Sequence, residues 1–422
     1  MGKKDLLRYK WVAQDAKKPE KIKMDYINIA AHQEISEAGL IYDLGSLYDY
    51  FTQVYDPRDD RGKRYDLAEL LVVMFLAKMA GQQNPSQIAD WVAHRVDELI
   101  EKKVLKRDKA PSHMTYRRVS QTIVDVEQME KLVQAYQQSS LVAEEGMVLS
   151  IDGKTVRGTI LRGETRGVHL LAVYVPGQGL VLAQAAVGEK ENEIKQAPQV
   201  LEQVPLNGAI VVGDAMQTQR ELSRQIVQAG GDFIWKVKGN QARTEWAIEK
   251  LFVQEVCQLQ KGQPLSSHCQ QAQTVNKGHG RIEKRVLLTS TLLNDYLDWP
   301  GVAQVFRLET LIEFSYGKHT RQIVYGMTSL PPKKANPDRL LTLNRQYWGI
   351  ESGLHYRRDV TLREDATRFS VGEAGHFMAI LNNLVIHLAL DHGKGNLAKA
   401  LRRFDAKPAE ALKLICAHPS TL

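Results

Sequence analysis

Cysteine is scarce: Cys257, Cys269 and Cys416 are the only three in 422 residues. An odd count with no CxxC pair and no Cys/His zinc spacing argues against a disulfide framework and leaves ordinary reduced thiols. Long hydrophobic runs are also missing. The longest, Leu70 to Leu76 and on past Lys78 to Ala80, is too short and too interrupted to cross a bilayer, and the polar Gly2-Lys3-Lys4-Asp5 does not read as a signal peptide. The expectation is a cytoplasmic protein with no membrane partner. Internal repeats and low-complexity tracts are absent, which excludes a solenoid or a compositionally disordered chain.

What is present is a normal apolar fraction of 43% in a chain long enough for two or three domains. Lys and Arg number 56 against 49 Asp and Glu, a formal charge of +7. That balance suits a polyanionic partner, although many basic proteins bind no nucleic acid.

Residues from about 32 to 140 read as helical, with apolar positions at helical spacing in Leu67 to Met79 and Ile88 to Leu99. Asp56-Pro57-Arg58-Asp59-Asp60-Arg61-Gly62 reads as a loop opening the long helix. A basic helical stretch from Lys102 to Arg118 is a solvated charged face or a DNA contact, and composition does not separate the two. From Met147 the period changes. Met147 to Ile151 is an apolar run of strand length ending at Asp152, and His169 to Val175 with Leu180 to Val187 flank the turn Pro176-Gly177-Gln178-Gly179 as a hairpin. Asn192 to Val204 has helical spacing, Ala209 to Gly213 is a buried strand ending at Asp214, Gln217 to Ala229 is helical, and Asp232 to Lys238 is a further strand. The order mixes an antiparallel hairpin with parallel crossover units. A turn-rich region follows to about Pro332, with strands expected at Arg285 to Thr289, Val302 to Leu311 and Gln322 to Thr328; its length reads as an insertion. Arg339 to Arg357 then reads as one long helix, followed by helices at Glu373 to Asp391 and Asn396 to Cys416.

Two aspartates therefore end strands of one sheet, where carboxylates at the carboxyl edge reach a shared ligand. A third acid brought in by a helix completes what two divalent cations need for in-line phosphoryl displacement. Taken alone, each aspartate reads better as structural, Asp214 as a helix cap and Asp152 as a turn residue. Glu351 lies on a helix whose Leu343, Tyr347, Ile350 and Leu354 form an apolar stripe, beside a second stripe of Trp348, Glu351, His355 and Arg358. An acid, an imidazole and a guanidinium beside a buried face suit a metal and a phosphate, and equally a solvated salt-bridged face.

At these residues the sequence resembles the H-repeat-associated insertion-sequence transposases, a branch of the DDE superfamily. Six blocks in order carry the resemblance. Ser150-Ile151-Asp152-Gly153-Lys154-Thr155-Val156-Arg157-Gly158 is similar to the first-aspartate block, and Glu189-Lys190-Glu191-Asn192-Glu193-Ile194 to the segment after the third strand. Gly213-Asp214-Ala215-Met216-Gln217-Thr218-Gln219 resembles the second-aspartate block, with Gln217 where many relatives carry histidine, and Lys236-Val237-Lys238-Gly239-Asn240-Gln241 resembles the end of the next strand. His279-Gly280-Arg281-Ile282-Glu283-Lys284-Arg285 resembles an insertion motif, and Trp348-Gly349-Ile350-Glu351 through Leu354-His355, with Asp359-Val360-Thr361 and Glu364-Asp365, the glutamate block. Related branches carry Tyr, Arg, Glu and Lys at fixed intervals around the glutamate; here Asn344, Tyr347, Glu351 and Arg358 stand there, with Arg345 a replacement for the other basic group.

The resemblance, over roughly residues 35 to 390, implies an α/β fold: a ribonuclease-H-like mixed sheet with an inserted β-rich segment, an N-terminal helical domain and C-terminal helices. The implied division is an extension at 1–34, a helical DNA-end-binding domain at 35–143, a catalytic core at 144–240 and 336–392 interrupted by an insertion at 241–335, and a helical segment at 393–422. The implied activity is cleavage of insertion-sequence ends and joining of 3′-hydroxyl ends to target DNA, with Asp152, Asp214 and Glu351 as catalytic residues and ligands of two Mg²⁺ ions that Mn²⁺ can replace. Lys154, Arg157, Lys236, Lys238, His279, Arg281, Arg345, His355 and Arg358 are the expected DNA contacts. The implied partners are double-stranded DNA and, on paired ends, a second copy of the chain, in a bacterial cytoplasm and at the nucleoid when DNA is bound. Two other classes fit the same residues: a transposase-derived regulatory protein that binds without cutting, and a ribonuclease-H-like nuclease that does not join.

Overall fold

The computed structural model describes residues 32–188, 192–278, 280–390 and 392–421. Most of the N-terminal extension, the segment Glu189-Lys190-Glu191 and His279 lie outside the described residues.

A short antiparallel hairpin, β1 (Gln33–Ile35) and β2 (Ile41–Asp43), comes first, where helix was expected. Six helices follow: α1 (Leu47–Thr52), α2 (Leu67–Met79), α3 (Pro85–Ala93), α4 (Val96–Glu101), α5 (His113–Arg118) and α6 (Val126–Ser139). The apolar stretch Ile88 to Leu99 is two helices, broken at Arg95, whose φ of −128° departs from the helical range. The basic stretch after Lys102 is not helical until His113: Lys103 turns the chain with a left-handed φ of 61°.

The large sheet is built from β3 (Val148–Thr155), β4 (His169–Val175), β5 (Leu180–Ala186), β6 (Ile210–Gly213), β7 (Asp232–Val237), β8 (Cys269–Gly278), β9 (Arg281–Ser290), β10 (Gln304–Phe314) and β11 (His319–Thr328). Its spatial order is β5-β4-β3-β6-β7-β11-β10-β9-β8. The first three strands are antiparallel, while β6 pairs parallel to β3 and β7 parallel to β6, which is the ribonuclease-H-like arrangement. The strands after β7 do not form a separate layer. β11 pairs antiparallel with β7, so the inserted strands prolong the same sheet. β8, whose exposed Gln and Lys positions hide its alternation, was not expected from sequence.

Both faces of the central strands are covered, which is why β4 and β6 read as unbroken apolar runs. On one face lie α7 (Glu193–Leu201), α8 (Arg220–Gln228) and α9 (Ala242–Gln260), whose buried side chains join Leu149, Ile151, Val211, Phe233 and Trp235 in one cluster. On the other, past the short α10 (Asn294–Leu297), α11 (Pro337–Gly349) sets Leu340, Leu341, Leu343 and Tyr347 over Val148, Ile210, Val212 and Ile234. The remaining helices are α12 (Ala374–Leu390), α13 (Leu397–Ala406) and α14 (Pro408–Cys416). The expected single helix from Asn396 to Cys416 is split because Pro408 starts a new first turn, the position where its missing N–H costs nothing.

α12 is buried nearly all round, as a helix must be when it is apolar on every side. It shares one core with α2, α6, α13 and α14, and with Tyr174 and Val181 of the sheet, so N- and C-terminal helices close over the β5 side together. Among the described residues no helix is long and apolar enough to cross a membrane.

Candidate active site

The parallel register of β3 and β6 ends at Ile151 opposite Gly213, so the next residue on each strand, Asp152 and Asp214, leaves the ladder at the same edge. β3 does not stop there. It runs on against β4 alone, pairing Asp152 with Ala172 and Thr155 with His169, which fixes the backbone that carries Asp152. Asp214 is fixed differently: its Oδ1 accepts from the Met216 N–H at 2.8 Å and the Gln217 N–H at 3.4 Å, an Asx-type turn at the sheet edge rather than the expected helix cap, since α8 begins only at Arg220 after Gln219.

Glu351 arrives from above the sheet. Ser150 Oγ donates to the Gln346 carbonyl at 3.4 Å, tying α11 to β3. Beyond Gly349 the expected long helix changes to wide π-type turns at Ile350–His355 and Arg357–Thr361. Such turns hold more residues than the 3.6 of an α-helix, so the face drawn from α-helical spacing rotates along its length. Glu351 and His355 remain over β3, with His355 Nδ1 3.6 Å from Asp152 Oδ2. Arg358 turns inward instead.

The electrostatics report the convergence. Asp152 is pushed up to about 7, first by burial and then by the negative charges of Glu193, Asp214 and Glu351. Burial lowers Lys236 to about 8 against the opposing pull of Glu351, Asp214 and Asp152, and its Nζ sits 3.6 Å from the centre of the Tyr347 ring and 4.9 Å from that of Trp348. The Tyr347 hydroxyl is held protonated by burial and by the same four acids. His355 is driven down to about 3 by burial and by the cations Arg358 and Lys154, so it is neutral.

The three expected acids do not close into one tight cluster. Among the described residues, the groups of three potential ligand atoms all within 4.8 Å are Glu255, His268 and Cys269, and Asp359, Glu364 and Asp365; Asp152, Asp214 and Glu351 are spaced more widely around their common region. Wider spacing suits two ions about 4 Å apart better than one ion chelated by all three.

The expected DNA contacts divide. Lys236 borders the acids and Lys238 is exposed near it, whereas Arg345 is exposed on α11 and donates to Asn276 of β8 at 3.1 Å. Arg157 is 77% exposed and lies 3.8 Å from Asp365. Arg281, at the β8–β9 turn, is bonded to Glu283. Lys154 and Arg358 present no free charge to solvent. Lys154 is 9% exposed, 2.5 Å from Asp359 and 3.7 Å from Asp365, because its strand continues under the segment after Glu351. Arg358 is 1% exposed, its Nε 3.0 Å from both oxygens of Glu364, which also accepts from Asn382 of α12 at 2.8 Å. Their expected phosphate contact gives way to a buried ionic clamp that holds the wide turns against β3 and α12.

Glu193, the first residue of α7, stands in the block after the third strand but carries no expected role. Its Oε1 accepts from His169 Nε2 at 2.8 Å and its Oε2 from Gln217 Nε2 at 2.9 Å. The signal in the sequence was its place in the Glu189–Ile194 block; in the structure its carboxylate stands where a Cβ on Gly153 would be, 2.2 Å from Oε1.

The fold is thus a ribonuclease-H-like sheet that gathers acids on its first strand, just past its fourth and on the turns after a following helix, the kind of carboxylate set that suits divalent cations. The chain belongs to the transposase DDE domain family, whose model matches residues 144–388, and the DDE-associated family matches residues 48–137. It is 29% identical over 357 residues to "Putative transposase YncI" of Escherichia coli O157:H7, covering 82% of this chain and 87% of that one. It is 25% identical over 374 residues to "H repeat-associated putative transposase YhhI" of Escherichia coli strain K12, covering 86% and 95%. A piggyBac transposase synaptic complex with hairpin DNA aligns with a TM-score of 0.40 at 12% identity, covering 86% of this chain and 76% of that one, a likeness too slight to bear on function.

Proposed function

We propose that this chain cleaves insertion-sequence ends and joins the freed 3′-hydroxyl ends to target DNA, with Asp152, Asp214 and Glu351 holding two Mg²⁺ ions. The observation that carries the reading is the placing of Asp152, Asp214 and Glu351 around one region at the sheet edge, where the Asp152 carboxyl is pushed up to about 7 by burial first and then by Glu193, Asp214 and Glu351. The donor set is entirely carboxylate oxygen, the chemistry of Mg²⁺ and Mn²⁺, and the negative charge gathered there exceeds what Lys236 offsets, so a cation site fits these residues. When bound, the ions supply charge stabilisation for the entering and leaving oxygens of an in-line displacement.

The chain's own residues do the positioning. β3 and the turn at Asp214 fix two carboxylates, and α11 anchored on Ser150 fixes the third. Lys236, pinned on Tyr347 and Trp348, sets a cation where a phosphate beside the acids would lie. Neutral His355 beside Asp152 adds no charge and hydrogen-bonds water or a phosphate oxygen. Lys238, Arg345 and Arg157 extend basic character away from the acids along the path of a duplex. The helices between residues 35 and 143 recognise the end sequence, and pairing of two ends makes the working assembly a dimer on DNA. Because cutting and joining are the same displacement with different nucleophiles, one site serves both.

The test is incubation of the full chain with labelled DNA carrying the gene's own flanking sequences and Mg²⁺ or Mn²⁺. Metal-dependent cuts at the boundaries and joined products are expected from the wild type, and neither from Asp152→Ala, Asp214→Ala or Glu351→Gln. Cuts without joined products would reduce the reading to a nuclease, and bound, intact ends would reduce it to a regulatory protein.

A further inference from the structure

We propose that Glu193 is a fourth carboxylate of the active site, a ligand, direct or through one water, of a divalent ion that it shares with Asp152. The inference rests on the reading that Asp152, Asp214 and Glu351 hold such ions.

Three observations meet at this side chain. The first is its position against the backbone next to Asp152. A Cβ on Gly153 would stand 2.2 Å from Glu193 Oε1 and 2.4 Å from its Cδ, so the carboxylate occupies room that exists because residue 153 has no side chain. The second is its orientation. Thr155 Oγ1 and His169 Nδ1 are 2.8 Å apart, and His169 Nε2 is 2.8 Å from Glu193 Oε1; a neutral ring that accepts from Thr155 and donates to Glu193 satisfies both contacts. Gln217 Nε2 donates to the other oxygen at 2.9 Å. The carboxylate is thus aimed by two donors that need carry no charge, and each oxygen keeps a lone pair for a further partner.

The third observation is the approach. Glu193 opens α7, directly after the capping residue Asn192, on the sheet face opposite α11. The positive end of the helix favours an anion there. Glu193 and its two donors thus reach the backbone beside Asp152 from the α7 face, while His355 reaches the Asp152 carboxylate from the segment after α11 on the other face. Two ions sharing one bridging carboxylate need acids on both sides of it.

The bland alternative is a hydrogen-bonded clamp that fastens α7 to β4 and binds nothing. Titration of the full-length chain with Mn²⁺, read by loss of the free-ion paramagnetic resonance signal, separates the two. The wild type is expected to take up two ions, and Glu193→Gln to lose one of them or weaken it at least tenfold while the other stays within about twofold. Gly153→Ala, which crowds the carboxylate without removing its charge, is expected to weaken the same ion. Two ions bound by Glu193→Gln at wild-type affinity would overturn the inference, and if Asp152→Asn loses both ions in the same series the parent reading stands without it. Unchanged uptake by Asp152→Asn would remove the parent reading and this inference together.

Discussion

Asp152→Asn is expected to stabilise this protein when divalent metal is chelated. The folded chain holds the Asp152 carboxyl near 7, far above the usual carboxylate range, chiefly through burial and then through Glu193, Asp214 and Glu351. The sign follows from proton binding. Between about 4 and 7 the folded state keeps a proton that the unfolded state has released, so stability is greatest below about 4 and falls as pH rises through 7. A rise of about 3 units at 1.36 kcal/mol each makes the ionised folded form about 4 kcal/mol costlier. The side chain is 20% exposed, so little of this is screened by water. Asparagine keeps the shape and removes the charge. Unfolding entropy of about 2.1 cal/mol/K per residue over 422 residues makes each kcal/mol worth about 1 °C if the chain melts as one unit. Calorimetry in EDTA should thus show Asp152→Asn melting about 4 °C above wild type at pH 8 and by a smaller margin at pH 5. Millimolar Mn²⁺ at pH 8 should reverse the order, because the wild type alone gains the ions. A variant that melts below wild type in EDTA at pH 8, or with the same margin at both pH values, would refute the reasoning.

Arg358→Ala leaves the Glu364 side chain, 2% exposed, without its cationic partner, so a loss of about 3–5 kcal/mol in urea denaturation is expected; an unchanged midpoint would show that the buried clamp contributes nothing. Lys78 is fully buried and lowered to about 7, with Nζ bonded to Gln83. In wild type this makes stability rise with pH between about 7 and 10, where the unfolded chain alone keeps its proton. Lys78→Met should therefore gain about 2–4 kcal/mol at pH 7, which is about 5 from the restored ionisation balance less about 1–3 for stranding Gln83. Calorimetry showing no gain would count against that burial penalty. Lys236→Met should lower the salt dependence of DNA binding by about one unit of slope, as expected for one lost phosphate contact; anisotropy titrations at several salt concentrations with an unchanged slope would remove Lys236 from the DNA path.

Much of the fold was legible because the central strands are buried on both faces and therefore write themselves as apolar runs, Met147 to Ile151 and Ala209 to Gly213 above all. That the residues after those runs share one edge follows from parallel pairing, which the strand–helix–strand spacing implies. What escaped notice has physical reasons. β8 alternates weakly because much of its length is exposed, and the Asn396–Cys416 helix was drawn through Pro408 although a proline can begin a helix as well as break one. Arg358 was assigned to the face of Glu351 by α-helical arithmetic that the wide turns do not obey. Glu193 was hidden because its partners, Gly153, His169 and Gln217, come from three separate stretches of chain, and only the sheet brings them together.

The most direct test of the central claim replaces metal-ligand oxygen with sulfur. A thiolate is a poor ligand for hard Mg²⁺ and a better one for Mn²⁺. Cleavage of end-containing DNA by Asp152→Cys and Asp214→Cys should be abolished in Mg²⁺ and regained in Mn²⁺, while the alanine variants stay inactive in both. Equal cleavage by the cysteine variants and wild type in Mg²⁺, or cutting by either alanine variant, would contradict the assignment of these carboxylates as the ligands of the catalytic ions.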